Sequence, residues 1–390
     1  MMENRPLIFA TLVGDIESDP SNRIKFGDFF QTLANRFPVV EVYNAHLGGM
    51  ARYVNALHVF SRDKQLWRER FYKNLPAFRQ RSQKVVAAIS HSSNQIDLIL
   101  QIGVLFDCHG CQPEIPTLIY TDYTAQLSAR KPEAGRSPFN EYQRQQWIAL
   151  EHRALQRASR ICTWSNLVRD SLINDYGIPP EKVTCIGGGV NFTPLPSIPQ
   201  RPLDGRPPTA LFIGKDFHRK GGDLLLMAFA KVRKTCPQAR MILVTTGPVP
   251  QELRSEGVEI LEPTWQRSVI HNLYKQADFF ALPSRLETWG DVLLEAMAYA
   301  LPCIGVEGEA MEEIIEDHHT GLIIPAENVS ALADAMIQLF QQPQLRQQWG
   351  QAARQRVEER FTWSRVIDRL VPIIKNVYLS SLTPRKEERL

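Results

Sequence analysis

Short apolar runs alternate with longer amphipathic stretches along the whole chain. Runs of four to seven residues rich in Leu, Ile, Val and Phe, bounded by Gly, Pro or Asp, are the pattern of strands buried on both faces. They predict strands over Leu7–Val13, Pro38–Tyr43, Asp97–Ile102, Pro116–Thr121, Ile161–Trp164 and Val183–Ile186. A second series follows at 210–214, Met241–Thr245, Val258–Leu261, Phe279–Leu282, Leu301–Val306 and Gly321–Ile324. Helical periodicity fills the gaps, over about 22–36, 62–84, 139–159, 165–177, 223–234 and 266–276. After Ile324 the chain reads as helical, ending in an amphipathic run at 361–379. Strand–helix alternation of this kind predicts parallel α/β sheets.

The strand–glycine–loop–helix opening occurs twice, at Leu7–Gly14 and again at Ala210–Gly214. Between the two series, residues 194–208 hold six prolines, which cannot join a sheet and read as a linker. The expected organisation is an N-terminal Rossmann-like domain over 1–193, a linker over 194–208 and a second Rossmann-like domain over 209–360. The segment 361–390 is expected to cross back to the first domain. At 390 residues, two domains are also what chain length suggests. In open α/β sheets ligands bind beyond the carboxyl ends of the strands. This makes Gly14, where a ligand can approach the backbone, and the loop Lys215–Gly222 candidate contacts.

Composition adds limits. Apolar residues at 44% and charged residues at 22% are ordinary for a globular protein, and a net charge of +3 argues against nucleic acid as a partner. No apolar run reaches the roughly 18–20 residues of a membrane span, and the N-terminus lacks a signal-peptide layout. A cytoplasmic location is expected. The six cysteines are scattered, and the pair in Cys108-His109-Gly110-Cys111 has no second pair at metal spacing, so it reads as structural or incidental.

Charge is uneven. There are 22 Lys/Arg against 18 Asp/Glu before residue 196, and 23 against 24 after it. Eight of the basic residues crowd into 62–84, interleaved with Trp67, Phe71, Tyr72, Leu75 and Phe78 and interrupted by Pro76. The stretch suits a basic amphipathic surface resting on the inner face of an anionic membrane. It equally suits a helix packed on the sheet with a solvated charged side.

The most informative segment is ALPSRLETWGDVLLEAMAYALP, Ala281–Pro302. Glu287 lies in the loop after a strand, Glu295 lies in the helix that follows, and Gly290 stands between them. Carboxylates accept from sugar hydroxyls, and the amides of a helix start attract phosphate. Glu287, seven residues, then Glu295, within ADFFALPS and EAMAYALPCIGV, resembles the Glu-x7-Glu signature of retaining glycosyltransferase family four. The family usually has Gly where this chain has Ala300, and commonly Asp where it has Asn191.

The resemblance implies a GT-B fold, α/β, with two Rossmann-like domains facing across a cleft. It implies retaining transfer of a sugar from a nucleotide diphosphate, of which a UDP-sugar leads, to a lipid, glycolipid or sugar acceptor. Glu287 would hold the donor sugar and Glu295 the ribose, with Thr264 by the base. Lys215 and Lys220, with Gly290, Asp291, Val292 and Gly14, would hold the phosphates. Lys215 stands where the family has Arg, which forfeits a bidentate contact. Asp122, with His109 as runner-up, is placed by the resemblance near the transferred sugar. No metal and no bound cofactor are expected. An epimerase or hydrolase of the same fold, or a non-catalytic nucleotide-sugar binding protein, are the alternatives.

Overall fold

The computed structural model describes residues 5–110, 114–132, 135–200 and 206–382. Cys111 of the cysteine pair therefore lies outside the described residues. The chain divides into two compact units, one running to Gly187 and resuming at Val366, the other Gly188–Arg365.

In the first unit the order is β1 (Ile8–Leu12), α1 (Pro20–Ala34), β2 (Val39–Asn44), α2 (Gly49–His58), α3 (Lys64–Tyr72), α4 (Leu75–Ser90), β3 (Leu98–Ile102), β4 (Thr117–Thr121), α5 (Ala125–Arg130), α6 (Glu141–Arg157), β5 (Arg160–Thr163), α7 (Asn166–Asn174) and β6 (Val183–Cys185). The second holds β7 (Thr209–Asp216), α8 (Gly222–Thr235), β8 (Arg240–Thr246), β9 (Val258–Leu261), α9 (Arg267–Gln276), β10 (Phe279–Ala281), α10 (Asp291–Ala298), β11 (Cys303–Val306), α11 (Met311–Ile314), β12 (Gly321–Ile324), α12 (Val329–Gln341) and α13 (Pro343–Arg356). The last helix, α14 (Trp363–Leu382), begins in the second unit and passes into the first at Val366. Among the described residues no helix is long and apolar enough to cross a membrane.

Each unit is built on one six-stranded parallel sheet. The first sheet is ordered β2-β1-β3-β4-β5-β6, the second β12-β11-β10-β7-β8-β9. β1, β3 and β4 are buried along their whole length, as continuous apolar runs require when helices cover both faces. In each sheet the strand order reverses at one place, between β1 and β3 and between β7 and β10. Ligand crevices of open sheets form outside the carboxyl ends of strands at such a reversal.

The structure departs from the sequence pattern in three places. The units part between Gly187 and Gly188, ahead of the boundary read from the prolines. The cause is bonding: the Val190 amide donates to the Phe361 carbonyl at 2.7 Å, and Trp363 Nε1 donates to Asn191 Oδ1 at 3.3 Å. Residues 62–84 are two helices, because Asn74 caps α4 by accepting from the Ala77 amide at 2.8 Å and Pro76 occupies its first turn. Their rings face neighbours, Phe78 against Trp147, Phe71 against His46 and Trp67 against Phe60. Two of the eight cations, Lys73 and Arg81, are buried, while Arg62, Lys64, Arg68, Arg79 and Lys84 stay exposed, so the cations of this stretch are split between interior and surface. Finally, the short helices α2 and α5 were not marked by periodicity.

Ala300 follows α10 with φ 55°, a left-handed conformation that costs a residue with a Cβ about 1–2 kcal/mol. Ala300→Gly is expected to raise stability by about 0.5–1 kcal/mol once the greater freedom of glycine in the unfolded chain is subtracted. Urea unfolding of the two proteins checks this, and an equal or lower midpoint for the glycine variant refutes it.

Inside the first unit, the buried Glu151 accepts from the Ala125 amide at 3.0 Å and from the Tyr176 hydroxyl. Burial pushes its carboxyl up to about 7, against a usual 4.5. Between those values the folded chain binds the extra proton, so stability falls as pH rises through the window. Glu151 is expected to cost the protein on the order of 2 kcal/mol between pH 5 and 7. Glu151→Gln should flatten that slope, as read from urea midpoints at the two pH values.

Candidate active site

The loop Leu282–Gly290 leaves β10 at the strand reversal of the second sheet. Its position is fixed by backbone bonds that need no particular side chain. The Leu282 amide donates to Ile304 O at 2.9 Å, the Arg285 amide to Arg219 O at 2.8 Å, and the Ala310 amide to Glu287 O at 3.0 Å. Side chains then clamp it. Arg285 grips Asp223 with two nitrogens at 2.7 and 2.8 Å, and Arg219 Nη1 donates to Leu286 O at 3.1 Å. The carboxylate of Glu309, itself buried, accepts from the Glu287 amide at 2.5 Å.

The loop before α8 packs directly on this one. Gly221 caps α8 at φ 75°, and a Cβ there would meet Pro283 O at 1.9 Å, so only glycine permits the approach. That approach brings Lys220 against Glu287, and the two form an ion pair. Both side chains are nearly buried, at 14% and 10% exposure. Gly290 precedes α10 at φ 130°, and no side chain caps the helix. Glu287 thus stands on the loop that leads into a helix N-terminus, with Asp291 and Val292 in its first turn, and Lys220 meets it from the loop before α8.

Glu295 is one turn further along α10 and is held differently. Its two oxygens accept from Arg267 at 3.2 Å and from the Tyr274 hydroxyl at 2.9 Å. Burial raises its pKa, an effect that Arg267 opposes without cancelling. Arg267 also donates to Asn191 O at 3.0 Å and lies over the Phe192 ring. The structure therefore does not bring Glu295 into the Lys220–Glu287 pair. Lys215 is separate too: it lies at the end of β7, its ammonium 3.4 Å from the centroid of the Trp265 ring. Thr264, next to that ring, accepts from the Gln266 amide at 3.1 Å.

In the first unit, Asp122 follows β4 and pairs with Lys25 of α1 at 2.5 Å. Burial works to raise its pKa, but Lys25, joined by Arg136 and a backbone hydrogen bond, outweighs it and holds the carboxyl below its usual value. His109 is engaged elsewhere, 3.0 Å from Asp107, which Arg157 also meets at 3.2 Å. Burial pushes the Cys108 thiol well up, which makes it inert. The Gly14 amide donates to Asn44 Oδ1 at 3.1 Å, and a Cβ at Gly14 would meet the Asn22 side chain. Asn22 and Asn44 thus already occupy the surroundings of Gly14.

A family pattern described as glycosyl transferases group 1 matches residues 196–356, the span containing both loops. That span belongs to the group 1 glycosyl transferases. Relatives with the same chemistry in their names are found by sequence. The D-inositol 3-phosphate glycosyltransferase of Saccharomonospora viridis is 28% identical over 248 residues, 58% of this chain and 57% of that protein. The phosphatidyl-myo-inositol mannosyltransferase of Mycobacterium leprae is 31% identical over 205 residues, 50% of this chain and 54% of that one. The chain spans just over half the length of these relatives. Among solved structures, the sucrose-phosphate synthase of Thermosynechococcus elongatus matches with a TM-score of 0.67 at 19% identity, covering 96% of this chain and 100% of that one. The group 1 transferase segment therefore sits in a chain with the GT-B fold, two Rossmann-like units.

Sequence reasoning nominated Glu287, Glu295 and Lys220 as candidates but not the groups that position them. Glu309 lies in the stretch GEAMEEII, and nothing in its spacing marks it as the partner of the Glu287 amide. Arg267 and Tyr274 had no local signal, being 28 and 21 residues from Glu295.

Removing one member of a mostly buried pair leaves an uncompensated charge, which typically costs about 3–5 kcal/mol. Lys220→Met is expected to destabilise by about that amount, and adding Glu287→Gln should recover about 1–3 kcal/mol of it. Urea unfolding of the four proteins of the cycle measures the coupling. Additive effects would mean that the pair does not interact in solution.

Proposed function

We propose that the protein is a retaining glycosyltransferase that moves a sugar from a nucleotide diphosphate, a UDP-sugar first, to a lipid, glycolipid or sugar acceptor. The observation that carries this reading is the Lys220–Glu287 pair, formed between the loop before α8 and the loop leading into α10, at the strand reversal of a group 1 transferase unit. The printed names of the sequence relatives, glycosyltransferase and mannosyltransferase, support the reaction class.

In this reading the diphosphate lies against the amides of Gly290, Asp291 and Val292, with Lys220 and Lys215 as its cations. Glu287 accepts from hydroxyls of the donor sugar. Glu295 accepts from the ribose while staying anchored to Arg267 and Tyr274, and Thr264 borders the base. The bond from the anomeric carbon to the diphosphate oxygen breaks, and a new bond to the acceptor oxygen forms on the same face. The acceptor's proton passes to an oxygen of the departing diphosphate, so no side chain acts as base. Lys220 and the helix start stabilise the charge that builds on that leaving group. Preorganised contacts of this kind contribute about 3–4 kcal/mol in the transition state. Asp122, kept ionised by Lys25, is the carboxylate assigned to the first unit's end of the reaction. The reading includes no metal.

A panel of uridine, guanosine and adenosine diphosphate sugars, followed by thermal shift and slow donor hydrolysis, tests this. One donor is expected to raise the wild-type midpoint and to be hydrolysed at the same rate with or without a chelator. Glu287→Ala should lower hydrolysis about a hundredfold or more while still binding the bare nucleotide diphosphate. Loss of turnover on chelation would remove the metal-free step. Binding without hydrolysis or transfer to any acceptor would favour a nucleotide-sugar binding protein.

A further inference from the structure

Helix α2 is amphipathic in the reverse sense. Met50, Tyr53, Val54 and Leu57 recur at helical spacing and are 76%, 68%, 57% and 78% exposed, and Phe60 just beyond continues the stripe at 60%. The buried side of the helix carries Asn55 instead. Asn55 Nδ2 donates to Phe71 O at 3.0 Å, and Asn55 Oδ1 accepts from Asn74 at 3.0 Å. Trp67 Nε1 donates to Ala56 O at 2.9 Å. These three bonds to α3 and the start of α4 fix the rotation of α2, so its apolar stripe is held outward by geometry.

The exposed charges around the stripe are mostly positive, Asp63 being the acid among them. Arg52 lies on α2, and Arg62, Lys64 and Arg68 lie on the neighbouring segment, all exposed. α2 contains no acidic residue. The acids nearby are turned to other uses: Asp63 accepts from the Gln65 and Leu66 amides at the start of α3, and Glu69 pairs with Lys73 at 3.0 Å. An outward apolar stripe rimmed by cations complements an anionic lipid surface, where the side chains enter the acyl boundary and the cations meet the headgroups. A contiguous patch of this kind is not an ordinary feature of a protein surface facing water.

We infer that α2, with Phe60 and the rim of Arg52, Arg62, Lys64 and Arg68, is a docking surface for an anionic bilayer. The surface stands on α2 alone and does not depend on the transferase reading. It does add to that reading. α2 starts five residues beyond β2, whose last residue, Asn44, accepts from the Gly14 amide. Docking would therefore bring the carboxyl edge of the first sheet to the membrane, where a lipid-borne acceptor presents its sugar.

Co-sedimentation with vesicles of phosphatidylglycerol and phosphatidylcholine, against phosphatidylcholine alone, tests the surface. Wild type is expected to pellet with the anionic vesicles and to be released by salt. Met50→Ser/Leu57→Ser should weaken partitioning at least about tenfold. Arg62→Gln/Lys64→Gln/Arg68→Gln should remove the preference for anionic lipid, and the emission of Tyr53→Trp should shift blue on binding. All these side chains are exposed, and unchanged thermal midpoints would exclude misfolding as the cause. Absence of wild-type pelleting, or equal pelleting of Met50→Ser/Leu57→Ser, overturns the inference. So does a concentration-dependent dimer, seen by light scattering, that this variant abolishes while vesicle binding is unmoved. Vesicle binding by a chain that takes no nucleotide sugar would leave the surface standing and sink the transferase reading.

Discussion

The ion pair between Lys220 and Glu287 is the constraint around which the second unit is arranged. Two charges taken mostly out of water are tolerated only if each stays close to the other and their backbones cannot drift. The surrounding structure supplies that rigidity. Gly221 lets the Lys220 loop touch Pro283, the Arg285–Asp223 fork ties the Glu287 loop to α8, and Glu309 holds the Glu287 amide. None of these groups has to contact a ligand to matter. They decide where the two charges stand when one arrives.

The two sheets repeat one plan. Each reverses its strand order once, and near each reversal a carboxylate after a late strand meets a lysine that follows the first strand of the unit. Lys25 and Asp122 do this in the first unit, Lys220 and Glu287 in the second. The settings differ in exposure. The first pair is about a third exposed on both sides, whereas the second is nearly buried. Electrostatic effects strengthen as water is excluded, so the second pair is the one suited to act on developing charge.

The strands were legible in the sequence because a strand buried on both faces is an uninterrupted apolar run, whatever lies around it. Glu287, Gly290 and Glu295 could be nominated together because their relation is local, a loop and one helix. What could not be read was long-range. Lys25 and Asp122 are 97 residues apart, and Lys220 and Glu287 are 67, so no window of sequence contains both partners. Helix α2 was hidden for another reason. Periodicity shows that a helix has two faces but not which one turns inward, and here Asn55 takes the inner face. In the basic stretch 62–84 periodicity likewise does not show which cations turn inward, and Lys73 and Arg81 do. Pro76 looked like a break and is instead a helix start, a position that suits its missing amide hydrogen.

The pairing also limits how an anionic ligand can enter. Lys220 is already neutralised by Glu287, so a diphosphate placed beside it meets an ion pair and not a bare cation. Lys220 alone cannot balance both charges of the newcomer. The remaining stabilisation has to come from the first turn of α10 and from a second cation. In the proposed reading Lys215 is that cation. It is exposed, and its contact with Trp265 is a surface cation–π interaction, of a kind worth about 0.5–1 kcal/mol. Arg267 cannot play this part, because withdrawing it would leave the buried Glu295 with only Tyr274 of its two described partners. In the proposed reading the arrangement separates a nearly buried cation, paired with Glu287, from an exposed one that lies over an indole face.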